Sequence, residues 1–264
     1  MKKILTFIAI FAVALTLSGA PSEAFALTSI TKIQAGDLVR GESFSAVYYV
    51  GRDGFRYVFP NDKTYATWYS NFDTVKWLSD ADLATIQIGG NVTYKPGLKM
   101  IKINSDPKVY AVGEGGKLHW VTTEAVAVAL YGTSWNKMID DVPDGFFSNY
   151  KKSGAIEMME DFSPSEEKAN AISIDSDKGL QSPIIMRISD NEYDQTSTTI
   201  KAGRAVKFIN TGVNKHTATA NNLSWGTGTL KTNQHFTKYF TEAGTYQFFD
   251  SYYPDTMKGT LIVE

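Results

Sequence analysis

The sequence predicts a multidomain chain: an α+β domain built from two similar units, followed by an all-β sandwich. Three observations carry this expectation. A length of 264 residues suits one large domain or two modest ones, at roughly 150 residues per domain. A pattern that begins at Val47 returns at Val109, an offset of 62. The stretch from Pro183 to Glu264 is rich in Thr, Val, Ile, Phe and Tyr, with Gly and Asn at its breaks, the texture of short paired strands.

Lys2 and Lys3 open the chain, followed by the uncharged run Ile4–Leu17 and the small-residue site Ala24-Phe25-Ala26. This order reads as a cleaved secretory signal over residues 1–26, with the mature chain starting near Leu27. The run of 14 residues is too short to span a bilayer comfortably. No later run is apolar enough to do so, and no transmembrane anchor is expected. The mature protein is therefore expected to be exported, to the periplasm or the extracellular side.

Residues 36–150 form the α+β region, with units at about 36–90 and 97–150. Val47-Tyr-Tyr-Val-Gly51 matches Val109-Tyr-Ala-Val-Gly113, and Gly54 and Tyr69 match Gly116 and Tyr131. Each copy reads as a strand, a tight turn (Gly51–Gly54; Gly113–Gly116) and a returning strand, because Asp-Gly and Gly-Gly pairs supply the positive φ of hairpin turns. A helix is expected after each hairpin, starting near Asn61 in the first and near Thr122 or Thr123 in the second, where residues that cap helices stand. Tyr65, Trp68 and Tyr69, and then Val126, Leu130 and Tyr131, follow at helical spacing. The unit resembles a hairpin-plus-helix unit of exported bacterial proteins of unknown role, a likeness that names no chemistry.

Lys151–Ser182 is polar, with Glu157, Glu160, Asp161, Glu166 and Glu167 and no sustained apolar period. It reads as a linker, with a short strand at Ala171–Ile174. Asp175-Ser-Asp177-Lys-Gly179 is like the opening of a calcium loop but lacks the later ligands, so a solvated linker is the preferred reading. The last 82 residues, 183–264, then supply Ile200–Asn210, His216-Thr-Ala-Thr219, Trp225–Leu230, Phe236–Phe240, Ala243–Tyr246 and Asp250–Val263. Short alternating strands at this spacing indicate a β-sandwich.

These segments, in this order, resemble a cupredoxin domain of the plastocyanin type. The resemblance implies a Greek-key sandwich with four copper ligands at one end: His, Cys, His and a weak Met, of which the thiolate makes the blue site. Carried over position by position, the first His is His216, the Cys position holds Asp250, the second His position holds Tyr253, and the Met position is Met257. Two ligands, including the thiolate, are thus replaced. Asp is a hard oxygen donor, and Tyr, with a phenol pKa near ~10, stays protonated at neutral pH. A type 1 copper site is not expected. A weaker copper site at His216, Asp250 and Met257 is the alternative. The first choice is no cofactor, with His216 hydrogen-bonded to Asp250, Tyr253 packed where the second His would sit, and Met257 in the core. His119 is expected to be structural and His235 to lie on the surface.

Composition removes other classes. Without cysteine there is no disulfide framework, thiolate zinc site or cysteine nucleophile, nor the cysteine that anchors a bacterial lipoprotein. A formal net charge of −2 gives no electrostatic basis for nucleic-acid binding. No motif places an enzyme's acid–base or nucleophilic group. The expected function is a non-enzymatic binding or scaffold module of the cell envelope, its partner an envelope protein or a cell-wall component. Two alternatives are a copper-binding or electron-transfer protein with an altered ligand set, and glycan binding through Trp68, Trp77, Trp120 and Trp135.

Overall fold

The computed structural model describes residues 26–264, so nearly all of the expected signal segment, residues 1–25, lies outside the described residues. A first sheet is built from β1 (Leu38–Arg40), β2 (Tyr48–Val50), β3 (Arg56–Val58), β4 (Val75–Trp77) and β5 (Ile88–Asn91), in the order β4-β1-β2-β3-β5. The three central strands are antiparallel, and β4 and β5 join the two edges in parallel. Helix α1 (Asp62–Trp68) follows β3, and α2 (Asp80–Thr85) follows β4.

The second sheet uses β6 (Met100–Ile103), β7 (Asp106–Gly113), β8 (Lys117–Val121), β9 (Ile139–Asp141) and β10 (Lys151–Ile156), in the order β10-β8-β7-β6-β9. Read from its other edge, this is the arrangement of the first sheet: β6, β7 and β8 are antiparallel, with β9 and β10 parallel at the edges. Helices α3 (Glu124–Tyr131) and α4 (Asp144–Phe147) follow β8 and β9.

Local chemistry accounts for these elements. The Asn61 side chain accepts from the Thr64 N–H at 2.8 Å and that of Thr123 accepts from the Val126 N–H at 3.2 Å, so each helix starts on a residue that satisfies one of its free donors. Gly54 and Gly116 close the hairpins at φ 86° and 71°, a region that a side chain with a Cβ avoids. The inner faces bury Tyr49, Tyr57, Phe59 and Tyr65 in the first unit, and Met100, Ala111, Val121 and Val126 in the second.

Residues 151–182, expected as a linker, carry regular structure. Lys151–Ile156 pairs with β8, and α5 (Pro164–Asn170) and α6 (Ile174–Lys178) follow. Strand β10 has no apolar period because it is an edge strand in which Ile156 alone is buried. Ala171–Ile174 is not a strand: Ser173 caps α6 by accepting from the Ser176 N–H, and Gly179 ends it in the left-handed region. Helix α6 also ties the two hairpins together. Asp175 accepts from the Arg52 N–H and Asp177 from the Gly115 N–H, each at 2.8 Å. These carboxylates, which sequence reading places in a solvated linker, are buried.

The sandwich stacks the sheet β11 (Ile184–Ile188), β13 (Arg204–Asn210), β15 (His235–Phe240) on a four-stranded sheet. That second sheet has the order β12 (Ser197–Ile200), β17 (Lys258–Val263), β16 (Gly244–Phe249), β14 (Thr219–Ala220). Met186, Val206, Phe208, Phe248 and Leu261 fill the space between them. The sandwich rests on the first sheet. Phe55 stacks on Tyr239 with centroids 5.5 Å apart, Tyr57 and Tyr239 both donate to the buried Asp53, and the Gln87 amide pairs with both backbone groups of Thr237. Burial, then the Asp53 carboxylate, raises both phenols well above the ordinary tyrosine range, so both are donors at any physiological pH.

Candidate functional site

The site lies at the end of the sandwich where three loops meet. Asn210, at the end of β13, shapes the loop that carries His216: its side-chain amide donates to the carbonyls of Asn214 (2.7 Å) and Leu230 (2.8 Å) and its oxygen accepts from the Gly212 N–H (2.8 Å). His216 is pinned by reciprocal backbone bonds with Leu230 at 3.1 and 2.9 Å. Asp250 follows β16, and its N–H donates to the Met257 carbonyl at 3.0 Å, closing the loop 250–257 on itself. The Met257 N–H donates to the Tyr253 carbonyl at 2.9 Å.

His216 and Asp250 are both 0% exposed. The imidazole Nδ1 meets Asp250 Oδ2 at 2.6 Å, and Nε2 meets Asp190 Oδ1 at 3.2 Å. An ionised carboxylate only accepts, so each ring nitrogen that bonds to one does so by donating a proton. The other Asp250 oxygen accepts from the Tyr252 N–H at 2.9 Å. Asp190 also accepts from the N–H groups of Asn214 (2.9 Å) and Val213 (3.2 Å). The Asn214 N–H first, then the His216 ring, hold its carboxyl below the usual range. The Tyr253 ring centre lies 5.4 Å from that of His216, tilted by 35°.

The residues carried over by resemblance are therefore brought together: His216 touches Asp250, Tyr253 covers the imidazole, and Met257 is buried in the sandwich core. Asp190 is the member that sequence reading missed. It stands 26 residues before His216, in the turn after β11, and the sole trace of it in the sequence is Gly212, where a Cβ would lie 2.3 Å from Asp190 Oδ1. His235, expected on the surface, is half-buried beside Ile209. Burial, then Lys207, lowers its pKa. His119 packs against Phe162, with ring centres 5.3 Å apart, and burial lowers its pKa also.

The donor set does not fit a type 1 copper centre. The chain has no cysteine, both His216 nitrogens are taken by carboxylates, and both Asp250 oxygens by donors. The two carboxylates sit on opposite edges of one ring and do not converge on a point. Among the described residues, no group of three or more His, Cys, Asp or Glu side chains is placed to hold a metal ion.

The four tryptophans considered for glycan binding are largely engaged within the chain. Lys95 lies over Trp68, Arg40 over Trp77 and Lys108 over Trp120, at 5.4, 3.9 and 4.6 Å from the ring centres. Trp135 packs against the core of the second unit.

A comparison with protein-family models agrees with the C-terminal sandwich. The family model described as a cupredoxin-like domain matches residues 151–263. The match begins upstream of β11, at β10, whose residues complete the second sheet. Residues 151–263 thus carry a cupredoxin-like domain. Among solved structures, the chain is similar to the reduced Cu(I) form at pH 4 of an amicyanin mutant, with 29% identity over 31% of this chain and 82% of that one, at a TM-score of 0.29. An oxidised amicyanin mutant gives 28% identity over 31% and 81%, at 0.29. The Cu-containing nitrite reductase from Thermus scotoductus SA-01 gives 22% identity over 32% of this chain and 23% of that one, at 0.31. No curated protein matches the chain.

Proposed function

We propose that this is an exported, non-enzymatic protein of the cell envelope or surface. In this reading the cupredoxin-like domain is a scaffold or binding module, and a histidine–carboxylate clip stands where type 1 copper would sit. One observation carries it: the fully buried His216 ring has a carboxylate on each nitrogen. The clip joins three loops that a metal would otherwise draw together, and releasing the ring for a metal would break two charge-assisted hydrogen bonds. The Lys2-Lys3, Ile4–Leu17 and Ala24–Ala26 series supports export. The matched strand order of the two sheets supports reading residues 36–156 as two copies of one unit, a module for an envelope partner.

A weaker copper site made by His216, Asp250 and Met257 is the second reading. It is favoured by the direct contacts of Asp250 with the other two, through the His216 ring and the Met257 carbonyl. Copper titration of the exported protein tests both readings. The scaffold reading expects no intense blue absorption and only weak binding; tight stoichiometric copper overturns it. N-terminal sequencing of the exported chain should begin at Leu27, and a retained Met1 in the membrane fraction would refute cleavage.

A further inference from the structure

Two cavities occupy corresponding places in the two hairpin–helix regions. The first, about 460 Å³, is bounded by the hairpin β2–β3, the start of α1 and Phe72. The second, about 320 Å³, is bounded by β7–β8, the start of α3 and Trp135. Nine residues of the first have a counterpart 62 positions on in the second, among them Ala46 and Lys108, Val58 and Trp120, Asp62 and Glu124, and Tyr65 and Ala127. The counterparts differ in one instructive way. In the second cavity Lys108 lays its ammonium 4.6 Å from the centre of the Trp120 ring. In the first, the same two positions hold Ala46 and Val58, and no basic residue lines the space.

We infer that the first cavity binds a lysine or arginine side chain presented by a partner polypeptide. Charge complementarity selects the cation. Asp62 is the one charged group in the lining; it is exposed, accepts from its neighbour Lys63 N–H at 2.9 Å, and makes no ion pair among the described residues. The apolar walls select a long stem. Val47, Phe59 and Tyr65 form the floor, and Phe72, 57% exposed, stacks on Tyr65 at 4.3 Å and extends the aromatic wall. A basic side chain has both parts, a methylene stem for the wall and a head that a carboxylate and a ring face both attract. Lys108 is an internal example of a basic side chain in the equivalent space. A sugar is the poorer occupant, because Asn61 Oδ1 is already used to cap α1 and most of the remaining lining is apolar. This cavity lies outside the sandwich, so the inference stands or falls independently of the copper reading.

The test is NMR titration of the exported chain with the peptide acetyl-Gly-Ala-Arg-Ala-Gly-amide, with the same peptide carrying neutral citrulline for arginine, and with an N-acetylglucosamine hexamer. Arginine peptide should shift the amides of residues 45–47, 58–62 and 72, with a Kd on the order of 1 mM, as expected for a single anchored side chain. Citrulline peptide, Asp62→Asn and Ala46→Lys should each weaken binding by about 10-fold, the factor that corresponds to ~1.4 kcal/mol. Asp62→Glu should retain it. Equal binding of the citrulline peptide, no shifts with the arginine peptide, or shifts with the hexamer alone would overturn the inference. Unchanged resonances of β1, β4 and α2, which belong to the same unit but do not line the cavity, show that each variant remains folded.

Discussion

Two buried carboxylates in this protein face opposite circumstances. Asp250, at the end of the sandwich, has the His216 imidazole on one oxygen and a backbone N–H on the other. Asp177, on α6, is 4% exposed; one oxygen accepts from Gly115 and the other has no partner. Burial pushes the Asp177 carboxyl up to about 6, with Glu114 and Glu167 pushing the same way while the Gly115 N–H and Lys178 oppose them. Both acids tie loops together across long stretches of chain, but the first does so with both oxygens hydrogen-bonded and the second with one oxygen left without a partner. A buried charge is tolerated when an opposite charge and hydrogen bonds replace its water, and otherwise it favours its neutral form.

The largest effect is expected from unpairing the sandwich clip. Asp250→Ala leaves the His216 ring buried with Asp190 as its remaining carboxylate, and breaking a buried pair on one side costs about 3–5 kcal/mol. Because Asp190 stays, the loss should fall near the lower end of that range. Denaturant unfolding would show it as a shift in midpoint at constant slope. A loss below about 1 kcal/mol would mean that the pair is no more than a surface-like contact, and the contrast with Asp177 would collapse.

The hairpin turns held by α6 come next. Gly116 has φ 71°, and a Cβ there would lie 3.0 Å from Thr93 Cγ2, whereas Gly54 at φ 86° faces open space. Gly116→Val should cost about 3 kcal/mol, from left-handed strain and crowding together. Gly54→Val should cost about 1–2 kcal/mol, from strain alone. Since Gly115 supplies the donor to Asp177, the first variant should also loosen α6. Hydrogen exchange at the Gly115 and Leu180 amides measures this, and equal exchange in the two variants would separate the turn from the clamp.

What could be read from the sequence follows the range of the interactions. The caps Asn61 and Thr123, the turn glycines and the order of the sandwich strands are local signals, and all lie where expected. His216, Asp250, Tyr253 and Met257 are found through resemblance, because family motifs keep distant residues in register. Asp190 leaves no such mark: it touches His216 only because two turns fold over each other. Strand β10 escapes detection because an exposed edge strand shows no apolar alternation. The carboxylates of α6 are hidden for a related reason. Asp175 and Asp177 have the composition of a solvated linker, and only tertiary contacts with Arg52 and Gly115 reveal that they are buried.

The burial of Asp177 has a measurable consequence. Asp177→Asn keeps an acceptor for the Gly115 N–H and removes the charge that burial disfavours. The folded carboxyl, at about 6, lies above its ordinary value of 3.8. Between these values the folded state holds a proton that the unfolded state has lost, so stability falls as pH rises, and the full penalty is present above the folded pKa. The variant should therefore be more stable than the parent at pH 8, by up to about 2 kcal/mol, given ~1.4 kcal/mol for each pH unit that separates the two values and some screening. The advantage should shrink as pH falls through 6 and vanish only below the ordinary value of 3.8, where the parent is neutral in both states. Asp250→Asn should behave in the opposite sense, destabilising, because both oxygens it alters are engaged, one by the His216 ring and one by the Tyr252 N–H. Unfolding curves of both variants across this pH range check the pair of signs. A destabilising Asp177→Asn at pH 8 would mean that the ionised carboxylate is matched after all, most directly by Lys178, and that the two buried acids work in the same way.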